Sequence, residues 1–272
     1  MTKEPERTQG PVSKIDTSVP HSARIWNYWL GGHDNYEVDR AAGDAYREAF
    51  PGIVDIARAS RAFLARSVRH LAREAGVRQF LDVGTGLPTV DNTHQVAQRV
   101  APEARVVYVD NDPLVLLHAH ALLSSTPEGV TQYLEADLYE PEHILAEAGR
   151  TLDLSRPVGL VLSGILGHVA SHRHACSLVR RLMAGLCPGS YLSLNEGTDT
   201  DPEYVAAQRA YNETGAIPYH LRSMAEIEAY FEGLELVEPG VVPVTRWRPD
   251  REPGSGGPPA DLGQAGGVAR KP

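Results

Sequence analysis

The chain has 272 residues, 42% of them hydrophobic and 22% charged, and its net charge is −9. This composition allows a large domain with a full core, while the acidic balance argues against a nucleic-acid partner, because phosphate binding depends on excess Lys and Arg. No apolar run approaches the roughly 18–20 residues that cross a bilayer, and the start of the chain lacks a signal peptide, so we expect a cytoplasmic protein with no membrane partner.

The first part of the chain is predicted to be helical. Residues 1–20 are polar and expected to be disordered, and residues 21–78 should form an N-terminal helical lid, in which a Pro-Gly pair at 51–52 separates two helical patterns. The second pattern carries a run of arginines: Arg58, Arg61, Arg66, Arg69 and Arg73. We interpret this run as a solvated helix face, because the acidic chain gives a nucleic-acid patch little support.

From residue 79 onward, strands and helices alternate. Apolar runs at 80–83, 106–109, 131–135, 159–162 and 190–194 are predicted strands, with helical patterns between them that include one over 113–123. This alternation predicts an α/β fold with a doubly wound, mostly parallel sheet, whose core spans residues 79–249.

The end of the chain is predicted to differ. The strands at 234–237 and 241–247 are separated by only three residues, too few for a crossover helix. They should therefore pair as a final antiparallel hairpin and complete a seven-stranded sheet. Residues 250–272 are rich in Gly and Pro, and we expect a disordered tail there.

The end of the first strand carries the strongest functional signal. Asp82 precedes a glycine turn formed by Gly84, Thr85 and Gly86, whose bare backbone leaves room for a ligand. A buried carboxylate beside a dinucleotide pyrophosphate would be repulsive, whereas beside the sulfonium and ammonium of S-adenosylmethionine it is favourable. The charge pattern therefore favours S-adenosylmethionine as the cofactor, and an NAD-dependent oxidoreductase is the disfavoured alternative.

Acidic residues also close the next two strands. Asp110, followed by Asn111, ends the second strand, where a carboxylate can accept hydrogen bonds from two ribose hydroxyls. Asp137, followed by Leu138, ends the third strand, where it can accept from an adenine amino group. We expect these side chains to line one cofactor site, although either aspartate could instead be a helix N-cap.

At this point the chain resembles a known group of proteins. The resemblance is carried by residues 22–36 (SARIWNYWLGGHDNY), 82–89 (DVGTGLPT), 92–97 (NTHQVA) and 108–113 (YVDNDP). The chain resembles the class I, Rossmann-type S-adenosylmethionine-dependent methyltransferases, and more narrowly an actinobacterial family long catalogued as a domain of unknown function. The resemblance spans about residues 17–249 and implies the class I fold, S-adenosylmethionine as ligand and an unassigned acceptor. Pro88 replaces the usual third glycine of the turn, so the turn must leave the strand differently.

The N-terminal segment concentrates aromatic and polar residues. We expect it to form the lid over the cofactor edge, with the Gly-Gly pair at 31–32 as its bend. Tyr28 and Asn35 are predicted cofactor contacts, with docking of the helices onto the core as the alternative. For Trp26 and Trp29, docking onto the core is the favoured interpretation.

Candidates for the reacting centre follow the fourth and fifth strands, beside the expected position of the sulfonium. Ser163 directly follows the fourth strand as a predicted cofactor contact, and His168 in the same loop is the first candidate for a general base. Glu196, after the fifth strand, is the second candidate. The histidines and cysteine at 172–176 have a spacing that a helix would splay apart, so no metal site is expected.

The leading hypothesis is therefore in-line methyl transfer from S-adenosylmethionine to an unidentified small-molecule acceptor. The alternative from another class is a non-catalytic regulatory protein that binds S-adenosylmethionine without turnover. The sequence indicates neither the acceptor nor the oligomeric state.

Overall fold

The computed structural model describes residues 16–112, 114–115, 124–250 and 260–272. Most of the helix predicted over 113–123 and most of the predicted disordered start at 1–20 lie outside these residues. Within the described ranges, no helix combines the length and the apolar character that a membrane span requires.

Three helices open the fold, and strands alternate with helices after them. The helices are α1 (Ser22–Trp29), α2 (Glu37–Ala49), α3 (Ile53–Arg73), α4 (Thr93–Val100), α5 (Pro141–Ala148), α6 (His172–Ala184), α7 (Pro202–Asn212) and α8 (Met224–Ala229). The strands are β1 (Gln79–Val83), β2 (Arg105–Asp110), β3 (Val130–Glu135), β4 (Gly159–Ser163), β5 (Tyr191–Gly197), β6 (Glu235–Leu236), β7 (Val242–Pro243) and β8 (Gln264–Arg270). Short 3-10 helices occupy Leu166–His168 and Val244–Arg246.

The sheet is mostly parallel and doubly wound, as predicted. Its order is β3-β2-β1-β4-β5-β8-β6, and β7 also pairs with β8. Strands β1 to β5 are mutually parallel, and the chain leaves β1 toward β2 on one side and returns to β4 on the other. The crevice beyond the carboxyl ends of β1 and β4 is thus the topological switch point, where open α/β sheets bind ligands.

The prediction of a disordered tail over 250–272 is wrong for its last part, because β8 lies inside the sheet. It pairs antiparallel with β5 on one side and with β6 and β7 on the other, so the described sheet has eight strands rather than seven. The two closing strands therefore pair with β8 and not with each other as a hairpin. After β8, Lys271 Nζ donates to the carbonyl oxygens of Met183 (2.8 Å) and Leu186 (2.6 Å) at the end of α6.

The glycines of β8 explain why its composition wrongly predicted a disordered tail. A Cβ at Gly266 would lie 2.5 Å from the carbonyl oxygen of Leu194, a separation that a side chain cannot adopt. Glycine is therefore required by the close approach of neighbouring backbone, and its frequency here does not signal disorder.

Two separate cores cover the two faces of the sheet. One contains Phe63 and Leu71 of α3 with Phe80 of β1, and the other contains helices α5, α6 and α8. Alternate residues of β1 face opposite cores, as the pleat of a strand covered on both faces requires.

The N-terminal helices have a third core, which they share with α7. Ile25 of α1, Tyr46 of α2 and Tyr211 of α7 are buried in it. A buried ion pair between Arg24 and Asp39, with Nε 3.0 Å from Oδ2, joins α1 to α2. The helices are thus packed as a unit above the carboxyl edge of the sheet.

Candidate functional site

A cavity of about 440 Å³ opens at the carboxyl ends of the parallel strands. The loops after β1, β2, β3 and β4 line one half of it, which we call the cofactor half because the sequence predicts the cofactor contacts there. This half contains nine of the residues predicted from sequence: Asp82, Gly84, Thr85, Gly86, Asp110, Asn111, Asp137, Leu138 and Ser163. The parallel register brings strand ends that are far apart in sequence to one wall of the cavity.

The turn after β1 depends on its glycines. Gly84 and Gly86 have φ angles of 74° and 63°, in the left-handed region that favours glycine. A Cβ at Gly84 would also lie 2.4 Å from Ile165 Cγ1. The amide of Gly84 donates to the carbonyl oxygen of Val109 at 2.8 Å, which holds the turn against the end of β2.

Asp82 lies beneath this turn and is almost fully buried. Its Oδ2 accepts a hydrogen bond of 2.5 Å from Thr93 Oγ1, at the start of α4. Burial raises the pKa of Asp82 to about 6, although the hydrogen bond and the positive charge of Arg61 act against that rise. The carboxyl is therefore mostly ionised at pH 7, and a cationic ligand would stabilise that form further.

Asp110 closes β2 with both carboxylate oxygens oriented by backbone amides. Oδ2 accepts from the amide of Gly86 at 2.8 Å and Oδ1 from the amide of Asp112 at 3.0 Å. Burial is the main influence on its pKa and raises it. Each oxygen retains a lone pair, so the carboxylate can accept two further hydrogen bonds from vicinal hydroxyls.

Asp137 lies at the neighbouring strand end. Its Oδ1 accepts from the amide of Tyr139 at 2.9 Å, and Asn111 Nδ2 lies 3.4 Å from its Oδ2. Asp110 and Asp137 thus provide acceptors from adjacent strands of the cavity wall.

Arg61 of α3 also lines the cavity. The interpretation of the arginine run as a solvated helix face is therefore wrong for this residue. Its Nε is buried without a hydrogen-bond partner among the described residues, and Nη2 reaches Val90, Asp91 and Asn92 only at 3.4–3.5 Å. Burial lowers the pKa of Arg61, against the opposing charge of Asp82. A guanidinium remains charged in proteins, so this group has unused capacity to bind an anion.

A sequence signal for Arg61 did exist. It falls at helical spacing within a stripe of buried residues, between Ala57 and Leu64 and followed by Val68. A charged residue on the apolar stripe of an amphipathic helix indicates a buried site more than a solvated face.

The structure places Tyr28 and Asn35 away from the cavity lining, contrary to their prediction as cofactor contacts. The hydroxyl of Tyr28 donates to Asp44 Oδ1 at 2.8 Å, and Asn35 Nδ2 donates to Asn27 Oδ1 at 3.1 Å. Both side chains join parts of the N-terminal segment to one another. Other positions of α1 line the cavity instead, among them Trp26, Asn27 and Trp29.

His168 lies on the 3-10 helix after β4 and lines the cavity. Its Nδ1 is 2.9 Å from the carbonyl oxygen of Pro218. A carbonyl oxygen only accepts, so Nδ1 carries the proton and Nε2 retains the lone pair. Burial lowers the pKa of His168, which keeps the ring neutral at pH 7. The structure is consistent with a proton acceptor at this position.

Glu196, the second candidate for a base, is completely buried and is not among the lining residues. It accepts hydrogen bonds from the amides of Leu166 (2.7 Å) and Gly167 (3.1 Å) and from the hydroxyl of Tyr219. Burial raises its pKa to about 7, with these hydrogen bonds acting in the opposite direction. Because its oxygens are occupied, Glu196 orients the turn that carries His168 and does not face a substrate.

The other half of the cavity is aromatic. We call it the aromatic chamber and define it by Trp26, Trp29, Tyr46, Tyr204 and Tyr211, which all line the cavity. Ring centroids are 5.9 Å apart for Trp26–Trp29, 5.2 Å for Trp29–Tyr46 and 5.7 Å for Tyr46–Tyr211, all edge to face. Trp26 and Trp29 were expected to dock the helices, and they also form a wall of this chamber.

Comparison with known proteins gives one consistent result. Residues 8–272 match the model of a family described as S-adenosyl methyltransferase. A protein of the DUF574 family from Streptomyces avermitilis is 49% identical, with 95% of this chain and 100% of that chain covered and a TM-score of 0.89. A candidate methyltransferase from Thermobifida fusca is 41% identical, with 94% and 97% covered and a TM-score of 0.85. No curated protein matches the chain.

Proposed function

The chain belongs to the S-adenosyl methyltransferase family, and from that premise we propose that it transfers the methyl group of S-adenosylmethionine to a small-molecule acceptor bound in the aromatic chamber. The family establishes a methyltransferase that uses S-adenosylmethionine. The proposal adds which residues hold each part of the cofactor and where the acceptor binds. Neither the family nor the relatives point to a regulator without turnover.

In this proposal, the adenosine part lies against the ends of β2 and β3. Asp110 accepts hydrogen bonds from the two ribose hydroxyls, while Asp137 and Leu138 contact the adenine. Asn111 lies between these positions and lines the same wall. The support is geometric, since the Asp110 carboxylate is already oriented by the amide of Gly86 at 2.8 Å. This oriented carboxylate is the observation that carries the proposal.

The methionine part then lies over the glycine turn. Its carboxylate binds Arg61, whose buried Nε lacks a partner among the described residues. Its ammonium faces the negative charge of Asp82, and the backbone of Gly84, Thr85 and Gly86 leaves room for the chain. Opposite charges on the ligand thus meet opposite charges on the protein, which a low-dielectric cavity strengthens.

With the cofactor bound in this way, Ser163 would lie beside the sulfonium, in the cavity that also contains the aromatic chamber. The acceptor atom would form a bond to the methyl carbon as the S–CH₃ bond breaks, and that electron pair would pass to sulfur, which leaves S-adenosylhomocysteine with an uncharged thioether. His168 Nε2 takes the proton of the acceptor and releases it to water. Positioning of the acceptor in line with the S–CH₃ bond supplies much of the rate.

The assignment of Asp110 is tested by changing it to alanine and measuring S-adenosylmethionine affinity by calorimetry. The loss of two charge-assisted hydrogen bonds should weaken binding about 30-fold or more. The matched control is Glu135→Ala, since Glu135 is exposed and directly opposite Asp110 in the sheet register. Equal affinity in the two variants would remove Asp110 from the cofactor site.

A further inference from the structure

The aromatic chamber has its own place on the sheet. Gln264, which also lines the cavity, begins β8, and β8 is separated from β1 by β4 and β5. At about 4.8 Å between neighbouring strands, this places Gln264 on the order of 14 Å from the end of β1. Asp110 and Asp137 lie on the opposite side of β1, so the two halves of the cavity are separate along the sheet.

Gln264 is the unusual polar group of this half. It is only 2% exposed, and its Oε1 has no hydrogen-bond partner in the described part of the chain. By contrast, the amide of Gln208 in the same cavity wall is satisfied, because it accepts from Tyr46 at 2.9 Å and donates to Asn212 at 2.9 Å. A buried amide oxygen without a partner costs free energy that a ligand hydroxyl can recover.

Charge is distributed unevenly along the cavity. Apart from His21 and His168, the charged side chains that line it within the described ranges are Arg61, Asp82, Asp110 and Asp137, which lie at or beside the carboxyl ends of β1, β2 and β3. A carboxylate or an aliphatic ammonium bound in the aromatic chamber would therefore be buried without a partner of opposite charge. Flat apolar walls beside the unpaired amide oxygen of Gln264 favour a neutral planar ring that carries a hydrogen-bond donor.

We propose that the methyl acceptor is an uncharged, planar aromatic compound with at least one hydroxyl group, and that Gln264 selects it by accepting the hydrogen bond of that hydroxyl. This inference rests on the proposed function, because it places the acceptor in the aromatic chamber beside the cofactor half. The rings of Trp26 and Trp29 contact the face or edge of the compound. Gln264 is thus a specificity-determining residue for the reaction.

The test uses the full chain saturated with S-adenosylhomocysteine and four ring-matched probes. These are 2-naphthol, 2-methylnaphthalene, 2-naphthoate and the cation of 2-(aminomethyl)naphthalene, with binding measured by equilibrium dialysis. We expect 2-naphthol to bind about ten-fold more tightly than 2-methylnaphthalene, the value of one hydrogen bond to a buried amide. The anion and the cation should bind more weakly than either.

Two substitutions test which residue causes the preference for 2-naphthol over 2-methylnaphthalene. Gln264→Leu should reduce the affinity for 2-naphthol to that for 2-methylnaphthalene and leave S-adenosylhomocysteine affinity unchanged. Gln208→Leu, the same substitution at a satisfied amide of the same wall, should retain the preference for 2-naphthol. If Gln264→Leu fails to fold, the four probes on the unchanged protein still decide the substrate class.

Different results overturn different claims. If S-adenosylhomocysteine itself does not bind, the proposed function fails. If it binds but 2-naphthol does not bind more tightly than 2-methylnaphthalene, only the inference about the acceptor fails. Tightest binding of the cation, through the aromatic faces, or of the anion would likewise contradict a neutral hydroxylated acceptor.

Discussion

Asp82 and Arg61 bring opposite charges into the same buried region of the cavity. Burial shifts the pKa of each toward its neutral form, and the charge of the other opposes that shift. A zwitterionic ligand with a separate ammonium and carboxylate can satisfy both groups at once. Single residues of this kind therefore control ligand affinity more than they control the fold.

The raised pKa of Asp82 predicts that S-adenosylmethionine affinity depends on pH. With a pKa of about 6 in the free protein, the carboxyl is mostly neutral at pH 5 and mostly ionised at pH 7. Since the cationic ligand favours the ionised form, its affinity should rise about ten-fold over this range. Calorimetry at pH 5, 6 and 7 measures the rise, and Asp82→Asn should abolish it.

The raised pKa of Asp82 also affects the free energy of unfolding, which should fall with rising pH where the ligand affinity rises. Because the folded pKa lies above the unfolded value, the protonated carboxyl favours folding, and this contribution is lost as pH rises from about 4 through about 6.

In the calorimetry experiment, a pH dependence of S-adenosylmethionine affinity that persists in Asp82→Asn would assign the titration to another group.

Residues at strand ends could be predicted from sequence, and residues that depend on packing could not. Asp82, Asp110 and Asp137 each follow an apolar run, and a parallel sheet brings such ends together. Arg61 and Gln264 enter the cavity only because α3 and β8 pack beside it, which no local pattern specifies. Strand-end position alone also misplaced Glu196, whose side chain lies behind the cavity wall.

At the scale of elements, the turn between β1 and α4 carries the most constraint. It has left-handed backbone at Gly84 and Gly86, contact with Ile165 and a hydrogen bond to the end of β2. The sequence identified this turn because few other patterns combine an acidic residue with closely spaced glycines. Its fit against Ile165 required the structure.

Gly84→Ala tests this turn. Left-handed backbone costs an alanine about 1–2 kcal/mol, and the contact with Ile165 Cγ1 at 2.4 Å forces a further shift of the turn. We expect S-adenosylmethionine affinity to fall at least ten-fold, measured by calorimetry, together with a lower free energy of unfolding.

The control for this substitution is Gly76→Ala. Gly76 has a similar φ of 69°, but a Cβ there has no heavy atom within 4 Å. This variant should lose only about 1 kcal/mol of stability and keep full affinity. If both variants lose affinity equally, the contact with Ile165 does not shape the site.

At the scale of the whole molecule, the sheet order separates the two halves of the cavity. The ends of the strands from β3 to β4 form the cofactor half, and β8, placed next to β5, adds the far wall. The alternation of strands and helices made the parallel part predictable. The insertion of β8 was not predictable, because its pairing partners are distant in sequence and its glycines resemble those of a linker.

The N-terminal helices complete the molecule above this edge. They share a core with α7, and Arg24 and Asp39 hold α1 against α2 with an Nε–Oδ2 distance of 3.0 Å. Trp26 and Trp29 thereby face the cavity from above, while β8 closes it from the side. The aromatic chamber thus exists only when the N-terminal and C-terminal parts of the chain are both in place.

The most direct test of the central claim is a crystal structure of the full chain with S-adenosylhomocysteine. We predict ribose hydroxyls on Asp110, adenine against Asp137 and Leu138, the carboxylate on Arg61, and the sulfur facing the aromatic chamber. An adenosyl group bound in the reverse direction, or bound outside this cavity, would contradict the account.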